Sequence, residues 1–112
     1  MDNSNLSFKL PCTKISESFL KELLDSHISM IIMDVRTCEE FEEGHIPESI
    51  NVPIEEFEEI LEKLNPDRKI TIVIYCESGL RSLEACYILK RFGFYNIYNL
   101  GPASNWHSKL VQ

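Results

Sequence analysis

The stretch Ile70-Thr71-Ile72-Val73-Ile74-Tyr75-Cys76-Glu77-Ser78-Gly79-Leu80-Arg81-Ser82 decides the architecture. Its first six residues are β-branched or aromatic and nearly continuous in apolar character. A strand with one wet face alternates polar and apolar residues. A continuous run is covered on both faces, which is the condition of a central parallel strand. A polar, glycine-containing loop follows, Cys76 to Arg81. A helix is then predicted from Ser82 to Phe92, with Leu83, Cys86, Ile88, Leu89 and Phe92 mostly inward and Gly93 as its stop.

The flanking segments extend the same alternation. Residues 1–13 read as an irregular lead-in, because Pro11 breaks any early helix. Ser16 is placed to cap a helix carrying Phe19, Leu20, Leu23 and Leu24 on one face. Met30 to Asp34 reads as a short buried strand ending in a polar residue. Thr37 or Cys38 opens an acidic helix over Glu39 to Glu43, stopped by Gly44. Ile50-Asn51-Val52-Pro53 reads as a short strand that Pro53 ends. Ile54, Phe57, Ile60, Leu61 and Leu64 trace an amphipathic helix with a glutamate-rich outer face. Asn65-Pro66-Asp67 is a turn. Tyr95 to Leu100 reads as another strand, and Ser104 as the cap of a last helix anchored in the core by Trp106. Strands alternating with helices predict an α/β fold with a mainly parallel sheet.

Composition narrows the function classes. At 112 residues the chain has the size of one domain and can build a core without metals or disulfides. Residues 1–62 carry 15 acids and 4 bases, whereas residues 63–112 carry 3 and 7. This balance argues against nucleic acid as a partner, while the second half is able to hold a small anion. The longest apolar runs, such as Met30 to Met33, fall far short of the roughly 20 residues of a membrane span. The N-terminal residues lack the basic and apolar regions of a secretory signal, so a cytoplasmic location is expected. The four cysteines, Cys12, Cys38, Cys76 and Cys86, show no Cys-x-x-Cys spacing, and His27, His45 and His107 do not cluster with them. No metal site is expected, and the thiols are expected to be reduced.

The loop after the central strand carries the chemistry. In open α/β sheets, ligands sit beyond the C-terminal ends of the strands. A helix N-terminus there offers unpaired N–H groups and partial positive charge. A curled loop above it makes a nest for an anion. Gly79 permits the curl. Arg81 either adds charge to the nest or braces it from outside, and Ser82 either caps the helix or donates to the anion. A thiol at the base of such a nest is favoured as thiolate, which makes Cys76 the candidate nucleophile.

Cys76-Glu77-Ser78-Gly79-Leu80-Arg81-Ser82 resembles the active-site loop of single-domain rhodanese-like proteins. Asp34-Val35-Arg36, with Glu40-Phe41 and Gly44-His45-Ile46-Pro47, is similar to that family's upstream motif. Gly93-Phe94 and Asn96-Ile97-Tyr98-Asn99-Leu100-Gly101 are similar to its downstream stretch. The resemblance implies a sheet of about five strands with helices on both faces. It implies a sulfurtransferase that takes a sulfane sulfur from thiosulfate or a protein persulfide, holds it as a Cys76 persulfide, and passes it to a thiol or cyanide. Residues 77–82 would form the anion cradle, with no cofactor. The alternatives are a binding or regulatory module on the same fold, a sulfur carrier, or a phosphatase or arsenate reductase. The last two enzymes use Cys-x-x-x-x-x-Arg, one residue longer than Cys76 to Arg81.

Two positions depart from the family pattern. Glu77 stands where a basic residue is frequent, and it weakens the attraction for thiosulfate. Pro102 follows Gly101 where a second glycine is frequent. Asp34 and Arg36 either support the loop or pair locally with Glu39 or Glu40. His45 reads as a structural side chain and Cys86 as core packing. Cys38, in the loop after Arg36, is a candidate resolving thiol for Cys76.

Overall fold

The computed structural model describes residues 12–112, so most of the expected lead-in lies outside the described residues. Five strands form one sheet: β1 (Thr13–Lys14), β2 (Met30–Asp34), β3 (Ser49–Asn51), β4 (Thr71–Cys76) and β5 (Ile97–Pro102). Their order is β1-β5-β4-β2-β3, and every pairing is parallel. β4 is the centre, with Ile72 opposite Ile31 on one side and Ile97 on the other. All six of its residues are buried.

Alternation along β4 divides the core in two. Ile72, Ile74 and Cys76 face one layer, where Phe57 and Leu61 of α3 (Phe57–Leu64) meet Ala85, Cys86, Ile88 and Leu89 of α4 (Leu80–Arg91). Val73 and Tyr75 face the other, where Leu20 of α1 (Glu17–Asp25) packs with Ile32, Ile46 and Leu100. Helices therefore cover both faces, as expected. Ser16 caps α1, its side chain accepting from the Phe19 N–H. Thr37 and Glu40 form a reciprocal capping box that starts α2 (Cys38–Glu43).

Several expectations are corrected. Thr13, the end of the expected irregular lead-in, forms an edge strand with Lys14, paired with Tyr98 and Asn99. Two exposed residues carry no periodicity, and only the open edge of β5 orders them. β3 begins at Ser49 and stops before Val52, because the chain turns at Pro53 into a 3-10 turn, Ile54–Glu56. α4 begins at Leu80, not Ser82, because Gly79 makes the left-handed entry and Ser82 turns inward. The last helix is only a 3-10 turn, Ala103–Asn105, which contains Ser104. Trp106 then takes an extended backbone, and the C-terminal residues are drawn away by an antiparallel bridge between Val111 and His45. Trp106 still packs on the Leu20 side of the core.

The expectation of reduced thiols is also overturned. Cys12 and Cys86 form a disulfide, with Cα atoms 6.0 Å apart and a sequence separation of 74. Cys86 is buried as expected. Its partnership is created by the sheet order, which carries the start of β1 beside α4, and it has no local signal.

Candidate active site

Cys76 is the last residue of β4 and is fully buried. The N–H of Gly79 donates to its Sγ at 2.7 Å. Gly79 has φ +93°, a left-handed conformation that side-chain-bearing residues avoid. A Cβ there would meet Pro102 Cδ at an ordinary 3.6 Å, so the backbone angle demands glycine rather than the space. Pro102 is the register partner of Cys76, and its ring walls the same loop.

The loop closes on itself. Ser78 Oγ accepts from the Leu80 N–H at 3.4 Å. Ser82, fully buried, donates through Oγ to the Gly79 carbonyl at 3.0 Å, so it braces the loop rather than capping the helix. Leu80 contributes backbone only, since the residue is 74% exposed.

Charged residues frame the loop. Asp34 and Arg36, both buried, make a two-pronged pair: Nε to Oδ1 at 3.0 Å and Nη2 to Oδ2 at 2.7 Å. Arg36 also donates to the Gly44 carbonyl at 2.6 Å and to Glu77 Oε1 at 3.3 Å. Of the two roles open to this pair, the structure places Arg36 on the loop, through Glu77, and not on Glu39 or Glu40. Burial opposes the Arg36 charge, but the Asp34 hydrogen bonds and charge together outweigh it and raise its pKa above the ordinary arginine value. Glu40 pairs instead with Arg81, Oε1 to Nη1 at 3.1 Å. Arg81 therefore braces the loop from outside by tying α4 to α2. Its hydrogen bond holds the Glu40 carboxyl below the usual carboxylate range.

Sequence reasoning missed two supports. Tyr75, fully buried, accepts the Ile46 N–H at 3.0 Å and lies 3.2 Å from Ser49 Oγ, fixing the segment after Gly44. Burial, reinforced by Asp34, raises its hydroxyl pKa. Asn51 donates to the carbonyls of Asp34 and Arg36, each at 3.0 Å, and so sets the turn that aims Arg36. A tyrosine at the end of an otherwise aliphatic strand was the visible hint; nothing local marked Asn51. His45 is structural, with Nδ1 2.8 Å from the Phe41 carbonyl and its ring stacked on Phe41. Cys38 is exposed, and its hydrogen bond to Glu42 holds the thiol above its ordinary pKa. Among the described residues no His/Cys/Asp/Glu group has the form of a metal site, and no helix is long and apolar enough to cross a membrane.

A family model for the rhodanese-like domain matches residues 16–109. A putative sulfurtransferase of Bacillus subtilis, YtwF, is 30% identical over 86% of this chain and 91% of its own length. A putative sulfur carrier protein of the same organism, YrkF, is 37% identical over 86% of this chain, which spans about half of that relative, 51%. Among solved structures, a rhodanese-like domain protein of Staphylococcus aureus superposes with TM-score 0.77 at 26% identity, covering 88% of this chain and 96% of its own. A rhodanese of E. coli, solved with anions, superposes with TM-score 0.69 at 28% identity, covering 75% and 99%.

Proposed function

Because the chain belongs to the rhodanese-like family, we propose that it is a sulfurtransferase with Cys76 as nucleophile. The Cys76 thiolate attacks the outer sulfur of a donor such as thiosulfate or a protein persulfide. The donor's sulfur–sulfur bond breaks, and sulfite or a thiolate leaves with its electron pair. The sulfur stays as the anion Cys76–S–S⁻ until a thiol or cyanide takes it and the Cys76 thiolate returns. No electrons are needed from outside, so no cofactor enters the reading.

The observation that carries this is the Gly79 N–H aimed at the Cys76 sulfur from a loop only four residues long between Cys76 and Arg81. Preorganised N–H donors stabilise the sulfur anion before and after transfer. The orientation of Arg81 favours sulfur over phosphate or arsenate. Its guanidinium is engaged by Glu40, leaving backbone groups to line a small ring. Of the two curated relatives described above, one carries a sulfurtransferase name and the other a sulfur-carrier name; a carrier would perform the same first half-reaction and release sulfur only to its own acceptor. A cytoplasmic setting belongs to this reading.

The test is thiocyanate formation from thiosulfate and cyanide. Wild type is expected to turn over and Cys76→Ser to fall to the uncatalysed background. Turnover retained by Cys76→Ser would sink the assignment.

A further inference from the structure

An open groove of about 550 Å³ runs along α4 from the rim of the Cys76 loop. Leu80, Leu83, Glu84, Tyr87 and Ile88 line it from α4, and Glu58 lines it from α3. These α4 positions recur at helical spacing, so they form one continuous face. Leu80 and Tyr87 are 74% and 55% exposed, large apolar surface left in water beside a reactive loop. The fold does not account for this exposure, since the core of α4 is built from Ala85, Cys86, Ile88 and Leu89.

Acidic side chains outnumber basic ones beside the groove, where Glu58 and Glu84 line it against Arg91. The segment from Ile54 to Leu64 carries Glu55, Glu56, Glu58, Glu59 and Glu62 against Lys63 alone, and these glutamates are exposed. Arg91, at the far end, is occupied by Glu58 at 2.9 Å. Glu84 has no cationic partner among the described residues.

We infer that this groove docks a basic amphipathic segment of the protein that exchanges sulfur with Cys76. Apolar side chains of the segment cover Leu80 and Tyr87, and its lysines or arginines face Glu84 and Glu58 in the lining, next to the exposed glutamates of the same α3 segment. The partner's persulfide is thereby delivered at the N-terminal end of α4, where the loop lies. The direction of sulfur traffic rests on the sulfurtransferase reading; the docking does not. Glu77, at the loop mouth, suits the same partner, because it disfavours a free dianion and not a cationic protein surface.

The experiment has two arms. Binding is measured by fluorescence anisotropy on Cys76→Ser protein, using a labelled Lys/Leu amphipathic peptide and a Glu/Leu peptide of the same length. Transfer is measured on protein with Cys76 intact, using the same two peptides with a terminal cysteine persulfide, and free cysteine persulfide as the small donor. The Lys/Leu peptide is expected to bind and to donate roughly tenfold better than the Glu/Leu peptide, with the preference shrinking in high salt. Tyr87→Ala and Glu84→Lys are expected to remove most of that preference while leaving turnover of free cysteine persulfide unchanged. Equal behaviour of the two peptides, or equal loss with the small donor in both variants, overturns the docking site. A dimer that Tyr87→Ala dissociates would assign the groove to a second copy and also overturn it. Peptide binding without loading of Cys76 by any donor would leave the docking intact and defeat the sulfurtransferase reading.

Discussion

The N–H of Gly79 reaches the Cys76 sulfur only because Gly79 holds φ at +93°. Gly79→Ala adds a side chain where there is room but imposes backbone strain of about 1–2 kcal/mol. We expect a modest fall in melting temperature and a loss of thiocyanate turnover of about tenfold or more, since one misaimed donor weakens anion stabilisation. Full turnover in a destabilised Gly79→Ala would show that this N–H is incidental. Glu77 is a second local determinant. Its side chain is 58% exposed and touches Arg36 Nη1, so its charge is only partly offset. Replacing it by arginine would set two guanidinium groups face to face, which makes Glu77→Gln the cleaner probe. Glu77→Gln is expected to lower the KM for thiosulfate several-fold at low ionic strength and much less at high salt, with kcat little changed. An unchanged KM at low salt would remove Glu77 from the account of donor choice.

Between elements, the tie of α2 to α4 through Glu40 and Arg81 keeps the loop closed from outside. The Glu40 carboxyl is held below its ordinary value of 4.5, chiefly by the Arg81 hydrogen bond. A depressed carboxylate adds stability above the unfolded pKa and loses it as pH falls through the folded one. Wild type should therefore exceed Glu40→Gln in denaturant midpoint by a constant amount above about pH 4.5. That gap should close below it. The gap is small, since both side chains are partly exposed. A gap that persists undiminished in strong acid would contradict the pairing. The same elements show what could be read beforehand. β4 and β2 were legible because a continuous apolar run has few other fates, and α1 and α2 because Ser16 and Thr37 are strong caps. α4 starts two residues before Ser82, where side-chain capping chemistry points, because the left-handed φ of Gly79 sets the helix entry. β1 and the end of β5 were obscure because neighbouring strands define them.

Across the whole molecule, residues far apart in sequence converge where no local signal exists. Cys76, Gly79 and the loop were legible; the engagement of Arg36 by Glu77, of Arg81 by Glu40 and of Cys12 by Cys86 was not, because each spans 41 or more residues. The disulfide has the largest consequence for stability. Closing a loop over a separation of 74 residues contributes about 4 kcal/mol in the chain-entropy account. Cys12→Ser, or reduction of wild type, should lower the melting temperature by many degrees, while thiol counting on unfolded protein under alkylating conditions should find only Cys38 and Cys76 free. Four free thiols in the untreated protein would contradict the cross-link. Whether Cys76 carries sulfur is read from intact mass spectrometry after incubation with thiosulfate or cysteine persulfide, with and without cyanide. Wild type is predicted to gain the mass of one sulfur atom, mapped to Cys76 and removed by cyanide, and Cys76→Ser to gain none. An equal gain on Cys76→Ser, or no gain on wild type from either donor, would mean that Cys76 is not the sulfur carrier.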